Sequence, residues 1–299
     1  MNFGKVDNPE TIDFTLPDTH ISTNDILGKQ QAENCNVYVG CAKWNKQDLK
    51  GFYPRGTKDE LRYYATQFNS IELNATFYRT FPTDTVEKWY QKTTSDFKFF
   101  PKINQSISQF NRLQNCEAEL NGYLDSIAHL QEKLGTIFLQ MHPTFAPNKF
   151  DVLTNFIQQW PTGFPLAVEL RHTDWYNDTI VANELYALFE ENNISNIIVD
   201  TAGRRDLIHM KLTNKDAFIR YNGANHESDY SRLDDWFDRI KLWIENGLEN
   251  LYFFVHQNLE TESPLLSKYF IEKFNNELGY DLMVPSLPND KKGNELTLF

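Results

Sequence analysis

Eight short β-rich runs recur along this chain, spaced so that most pairs leave room for a helix between them. They are VYVGC from Val37, SIELN from Ser70, FKFFPK from Phe97, TIFLQM from Thr136, LAVEL from Leu166, NIIVD from Asn196, AFIRY from Ala217 and LYFFVH from Leu251. A strand followed by a helix and another strand builds parallel pairs, because parallel strands need a crossover longer than a turn. Eight such units over about 240 residues fit a single (β/α)8, TIM-type barrel. A doubly wound open sheet lacks support, since no glycine-rich phosphate loop follows the first run. With 40% hydrophobic and 14% aromatic residues, the 299-residue chain has material for one large core.

The helices between the runs carry start and stop signals. Thr57 and Glu60 read as a capping box, followed by an apolar face of Leu61, Tyr64, Ala65 and Phe68. Another helix reads from Ser231 through Trp236 and Ile240 to Gly247, with glycine as a left-handed cap. A long helix from about Cys116 buries Leu120, Leu124, Ile127 and Leu134. Further helices fit 84–91, 150–160, 178–192 and 264–274. The segment from Thr201 to Lys215 is too short and mixed for a helix, so an irregular connection is expected between the sixth and seventh strands. The domain reading is an N-terminal extension over 1–35, the barrel over 36–278 and a polar tail over 279–299.

Charge and targeting signals narrow the function classes. Lys plus Arg number 29 against 41 Asp plus Glu, a net charge of −12. That field repels polyanions and argues against long-range steering to nucleic acid, although a local basic cleft survives the argument. The N-terminus lacks a secretory pattern and no apolar run is long enough to span a membrane, so the expected location is the cytoplasm. Cys35, Cys41 and Cys116 show no CxxC spacing, which points to reduced, packed thiols rather than disulfides or zinc ligands. No motif specifies a cofactor.

Strand side chains alternate, so parity predicts what faces the barrel interior. Ile71 and Leu73 toward helices send Glu72 and Asn74 inward. Leu166, Val168 and Leu170 outward leave Glu169 and Arg171 inward. By the same reasoning Lys98, Phe100 and Lys102 face inward on the third strand, Gln140 and His142 on the fourth, and Asp200 ends the sixth. Arg220 and Asn222 end the seventh, and His256 and Asn258 follow the eighth. Three carboxylates (Glu72, Glu169, Asp200) and three cations (Lys102, Arg171, Arg220) thus gather at the C-terminal strand ends, where barrel enzymes build their sites. Such buried charges need a mutual ion-pair network or a ligand. Trp44, Tyr78 and Trp175 would wall the pocket.

These blocks resemble the DUF72 (YecE-like) family of barrel proteins of unknown function. GCAKW and GFYP are similar to its first-strand signature and turn, and FNSIELNATFYR to its second-strand block. FKFFPK, GTIFLQMHPTF, LAVELRHTDWY and FIRYNG resemble its third, fourth, fifth and seventh blocks, which adds His172 to the candidate site. The resemblance implies the barrel fold and no established reaction. The chain departs from the family where INQSISQF follows Lys102 without the usual His, and where VHQN closes the eighth strand.

The leading functional expectation is an enzyme acting on a small polar or anionic, phosphorylated or sugar-like substrate at the C-terminal face. Lys102, Arg171 and Arg220 would hold the anion, and Glu72, Glu169 or Asp200 would serve as general acid or base, with Glu169 favoured as base. Trp44, Asn74, Tyr78, Gln140, His172, Trp175 and Asn258 would complete the binding surface. One alternative is a metal-dependent phosphodiesterase or endonuclease using Glu72, His142, Glu169, Asp200 and His256. Another is a non-catalytic barrel that binds a metabolite or partner, with Arg204 and Arg205 as a contact loop or lid.

Overall fold

The computed structural model describes residues 5–28 and 34–287. Among them nine parallel strands form three sheets: β1 (Asn36–Cys41), β2 (Ser70–Leu73), β3 (Lys98–Pro101), β4 (Ile137–Gln140), β5 (Leu166–Glu169), β6 (Ser195–Asn196), β7 (Ile198–Thr201), β8 (Asp216–Asn222) and β9 (Asn250–His256). The sheet orders are β1-β9-β8-β7, β2-β3 and β4-β5-β6. This is an α/β fold with helices following most strands. The sixth expected strand is split at Ile197, whose N–H still donates to the Val168 carbonyl at 2.9 Å.

The sheets touch through specific bonds. Between β3 and β4, the N–H of Ile103 donates to the Phe138 carbonyl at 2.9 Å and that of Gly135 to Phe99 at 2.8 Å. Between β1 and β2, the Asn69 side chain stands in for ladder bonds, accepting from Val39 N at 3.1 Å and donating to the Val37 carbonyl at 2.8 Å. The Tyr64 hydroxyl adds a bridge, accepting from Cys41 N at 2.8 Å and donating to the Ser70 carbonyl at 3.1 Å. The backbones approach so closely here that a Cβ on Gly40 would lie 2.3 Å from the Ser70 oxygen, which only glycine avoids.

Alternation sorts the apolar residues into two cores. Val37, Val39, Ile71, Leu139, Val168 and Ile219 pack outward against helices. A separate cluster of Phe100, Phe138, Ala167, Ile197, Val199, Phe218, Tyr252 and Phe254, with Tyr38 against it, draws on strands of all three sheets. This aromatic plug underlies the charged side chains described below.

Helix positions follow the sequence patterns with local corrections. Asp59, rather than Thr57, caps Glu60–Tyr64 by accepting from Arg62 N at 3.1 Å. Thr57 instead turns its hydroxyl to the Pro54 carbonyl, and Glu60 accepts from Lys46 N, so the expected capping box does not form. The helix expected from Ser231 starts a turn earlier and spans Ser228–Glu245. That from Cys116 covers Glu117–Ile127 and continues as a tighter 3-10 segment to Lys133. The connection after β7 is a kinked 3-10 stretch over Ala202–Leu207 in place of a helix.

The N-terminal segment lies along this connection and helix Ser228–Glu245. His20 N donates to the Met210 carbonyl at 3.0 Å, Arg239 to Pro17 at 2.7 Å, and the Trp243 indole to Thr19 at 3.1 Å. After helix Ser263–Leu278, Leu282 and Asn275 exchange hydrogen bonds and Ser286 N donates to Gln67. The last dozen residues of the expected polar tail lie outside the described residues.

Candidate functional site

At the C-terminal ends of the strands, Arg220 on β8 reaches two strands that are not its neighbours in the sheet. Its Nε and Nη2 grip Glu72 on β2 at 2.8 and 2.9 Å, and its Nη1 meets Glu169 on β5 at 2.6 Å. The two-pronged geometry with Glu72 is available to a guanidinium and not to an ammonium. Glu72 and Glu169 are 0% and 1% exposed, so neither has water as an alternative partner.

Cross-strand neighbours satisfy the remaining lone pairs. Gln140 stands opposite Glu169 in the β4–β5 register and donates its Nε2 to both carboxylate oxygens at 3.0 Å. Arg171, two residues along β5 and so on the same face, closes on Glu169 Oε1. Asn74 likewise donates to Glu72 Oε1 at 2.7 Å, and His256 lies 3.0 Å from Glu72 Oε2. Each carboxylate oxygen therefore has two nitrogen partners.

The electrostatics follow from these contacts. Burial pushes the Glu169 carboxyl up, but Arg171, Arg220 and the Gln140 hydrogen bonds outweigh it and carry the pKa down to about 2. Burial opposes ionisation of Glu72 too, and Arg220 with His256 still holds it well below the usual carboxylate range. Burial therefore holds neither Glu72 nor Glu169 in the protonated form.

Lys102, just past β3, is treated differently. Gln140, with its amide nitrogen committed to Glu169, presents Oε1 to the Lys102 Nζ at 2.8 Å. The ammonium also lies 4.3 Å from the centre of the Phe77 ring. Among the described residues it makes no ion pair, although it is only 8% exposed. Burial, then the nearby Arg220, lowers its pKa, with Glu169 and Glu72 offsetting part, to about 7.

A cavity of about 330 Å³ opens beside Glu72, bounded by Ala42, Trp44, Asn74, Ala75 and Tyr78. On this side the end of β1 carries only the small Gly40, and Ala42 just past the strand lines the cavity. Trp44 is half-buried against Trp89, while Tyr78 is 69% exposed at the rim. A larger groove of about 800 Å³ near Pro147, Asp174, Asp178 and Ile180 contains none of the charged residues above, so size does not locate the site.

Residues 38–291 match the family described as protein of unknown function DUF72. The chain belongs to the DUF72 family. It is 24% identical over 274 residues to the UPF0759 protein YecE of Escherichia coli strain K12, covering 84% of this chain and 97% of that protein. Similarity to the UPF0759 protein YunF of Bacillus subtilis is 24% over 270 residues, covering 82% and 90%. Among solved structures, a DUF72 family protein from Thermotoga maritima superposes with a TM-score of 0.66 at 22% identity, covering 81% of this chain and 100% of that one. Another from Enterococcus faecalis gives 0.65 at 18%, covering 81% and 98%.

Within this DUF72 chain the second, third, fourth, fifth and seventh blocks converge on one layer through Glu72, Asn74, Lys102, Gln140, Glu169, Arg171 and Arg220. Asp200 does not join it. It faces helix Ser228–Glu245, where it pairs with Arg232 at 2.9 Å, with Arg205, and with the Trp236 indole at 2.7 Å. Its neighbour Val199 takes the interior position. The run NIIVD is apolar on both faces, as strands buried on both sides are, so its parity was ambiguous.

Trp175 is fully buried, stacked on Phe145 with its indole N–H donating to the Phe145 carbonyl at 2.7 Å, and it does not wall the cavity. His172 accepts from Asp174 N at 3.3 Å, and His142 is engaged with Thr144 at 2.8 Å. Asn258 is exposed past β9. Of the five metal-ligand candidates only Glu72, Glu169 and His256 share the network, and Asp200 and His142 lie apart from it. Arg204 pairs with Asp206, and Arg205 ties Asp200 to the Phe14 carbonyl, which gives both residues intramolecular partners. Phe77 and the His256–Glu72 contact carried no parity signal. Phe77 follows β2 in a short helix, and His256 was legible only as a residue closing the eighth strand.

Proposed function

We propose that the three sheets close into one (β/α)8 barrel, and that the charged layer is the active site of an enzyme acting on a small polar, anionic substrate. Closure is supported by the bonds joining β1 to β2 and β3 to β4, and by the aromatic plug drawn from all three sheets. The functional reading rests on Lys102. Glu72 and Glu169 are matched by Arg220 and Arg171, so this balanced set leaves Lys102 in a dry position with a neutral amide as its hydrogen-bond partner. Burying a cation without a counter-charge is costly, and an anionic group of a ligand is the complement that removes the cost.

The roles differ from a two-carboxylate scheme. Glu72 and Glu169, already ionised and saturated with donors, position Arg220, Gln140 and His256. Lys102, with a pKa of about 7, is the group suited to move protons near neutrality. An anion beside Lys102 raises its pKa, so binding takes up a proton and tightens as pH falls.

The test is thermal unfolding with added sulfate, whose charge is constant over the range, at about pH 6 and about pH 8. The expected result is a midpoint that climbs with sulfate, more steeply at the lower pH, and that responds weakly in Lys102→Met. Absence of stabilisation, or an equal response at both pH values in the native chain, overturns the reading. The pH comparison needs no variant and holds even if Lys102→Met folds poorly.

A further inference from the structure

The surroundings of Lys102 are unusual for an anion-binding cation. Glu169 is the neighbouring carboxylate, yet Gln140 stands between them, its amide nitrogen tied to both Glu169 oxygens at 3.0 Å and its oxygen turned to Nζ at 2.8 Å. A direct carboxylate would lock the side chain as an ammonium, whereas an amide oxygen accepts equally from an amine. The Phe77 ring at 4.3 Å and the Phe138 ring at 5.8 Å add apolar walls, and Arg220, over the same Phe138 ring, is a cationic neighbour that further disfavours the ammonium. Burial in such a pocket is how a lysine amine becomes a nucleophile near neutral pH.

We infer that Lys102 captures the carbonyl carbon of its substrate as an imine, so that the ligand class is a small carbonyl compound carrying an adjacent carboxylate. This rests on the reading of the layer as a substrate site and specifies its chemistry. In the neutral form, the Nζ lone pair attacks the carbonyl carbon. The C–N bond forms while the carbonyl π pair moves to oxygen, which takes up the proton the ammonium released. The carbinolamine C–O bond then breaks, the hydroxyl leaves as water with a second nitrogen proton, and the lone pair closes the C=N bond. The third proton remains on nitrogen. Ammonium and carbonyl thus become iminium and water, and the positive charge given up for the attack is restored opposite the substrate carboxylate in the iminium.

The experiment uses the intact chain at about pH 7 with glyoxylate and cyanoborohydride, which reduces an imine to a stable carboxymethyl-lysine that peptide mass spectrometry maps. An ordinary lysine is neutral about one part in a thousand or less at that pH, against about half for an amine with pKa near 7. With access slowed by burial, Lys102 is expected to react at least about tenfold faster than Lys88, whose side chain is 64% exposed, and sulfate is expected to slow Lys102 alone. Reaction of Lys102 no faster than Lys88, while sulfate still stabilises the fold, overturns the imine and leaves the anion site standing. Failure of both the labelling and the sulfate stabilisation overturns the two together.

Discussion

Replacing Arg220 by Met isolates the energetics of the charged layer. The guanidinium makes bonds of 2.8 and 2.9 Å to Glu72 and 2.6 Å to Glu169, all out of solvent. Removing one partner of a buried ion pair costs about 3–5 kcal/mol because the other charge is stranded, and here two carboxylates are stranded at once. In a chain of this size that corresponds to a drop in Tm of roughly 5–8 °C. The pH dependence carries the diagnosis. In the native chain the Glu169 pKa is depressed to about 2, so its stabilisation is fully present above the ordinary carboxylate range and is lost only as pH falls toward about 2. Without Arg220, burial dominates and the folded-state pKa of the carboxylates rises. A raised pKa contributes stability at low pH that is lost as pH increases, so the deficit is largest near neutrality and shrinks toward about pH 4.5. Denaturant unfolding of both proteins across that range is the assay. If Arg220→Met does not fold at neutral pH, recovery of folding on acidification is the same prediction. A deficit under about 1 kcal/mol, or one that does not change with pH, refutes the reasoning.

Other outcomes follow from the same contacts. Asp200→Asn should destabilise by about 1–3 kcal/mol, because Arg232 and Arg205 lose a shared buried carboxylate while Arg232 keeps Asp229 at 2.9 Å, and sulfate should still stabilise the variant. Loss of the sulfate response with stability intact would return Asp200 to the ligand site. Gly40→Ala should cost roughly 1–3 kcal/mol or more in denaturant unfolding, since its Cβ meets the Ser70 backbone at 2.3 Å, and an unchanged midpoint would contradict the close apposition of β1 and β2. Trp175→Ala should lose about 3–5 kcal/mol as a core truncation and leave the pH dependence of sulfate binding unaltered.

What the sequence made legible depended on whether a strand was buried on one pattern or two. SIELN and LAVEL alternate cleanly, so Glu72 and Glu169 could be placed inward from parity alone, and the register then brought Gln140 opposite Glu169. NIIVD offers apolar residues on both faces, and the side taken by Asp200 is decided by Arg232 and Trp236, more than thirty residues downstream on a helix. Trp175 looked like a pocket wall because it follows a strand, but the short helix Asp174–Asn177 turns it into the core against Phe145. The capping error has a local cause: Asp59 lies immediately before the helix and reaches Arg62 N, leaving Thr57 outside the first turn. Least legible was the interposed amide. That Gln140 separates Lys102 from Glu169 depends on three strands meeting at one height, which no single segment encodes.

The protonation state of the Lys102 amine decides whether the charged layer is a ligand site. Competitive labelling with trace acetic anhydride across a pH series, read by peptide mass spectrometry, gives the midpoint of each lysine in the folded chain. Lys102 is predicted to titrate near pH 7 and to move upward when sulfate is added. A midpoint near 10.4, the ordinary value for a lysine, and indifferent to sulfate, would contradict the claim that the layer holds an uncompensated amine awaiting an anionic ligand.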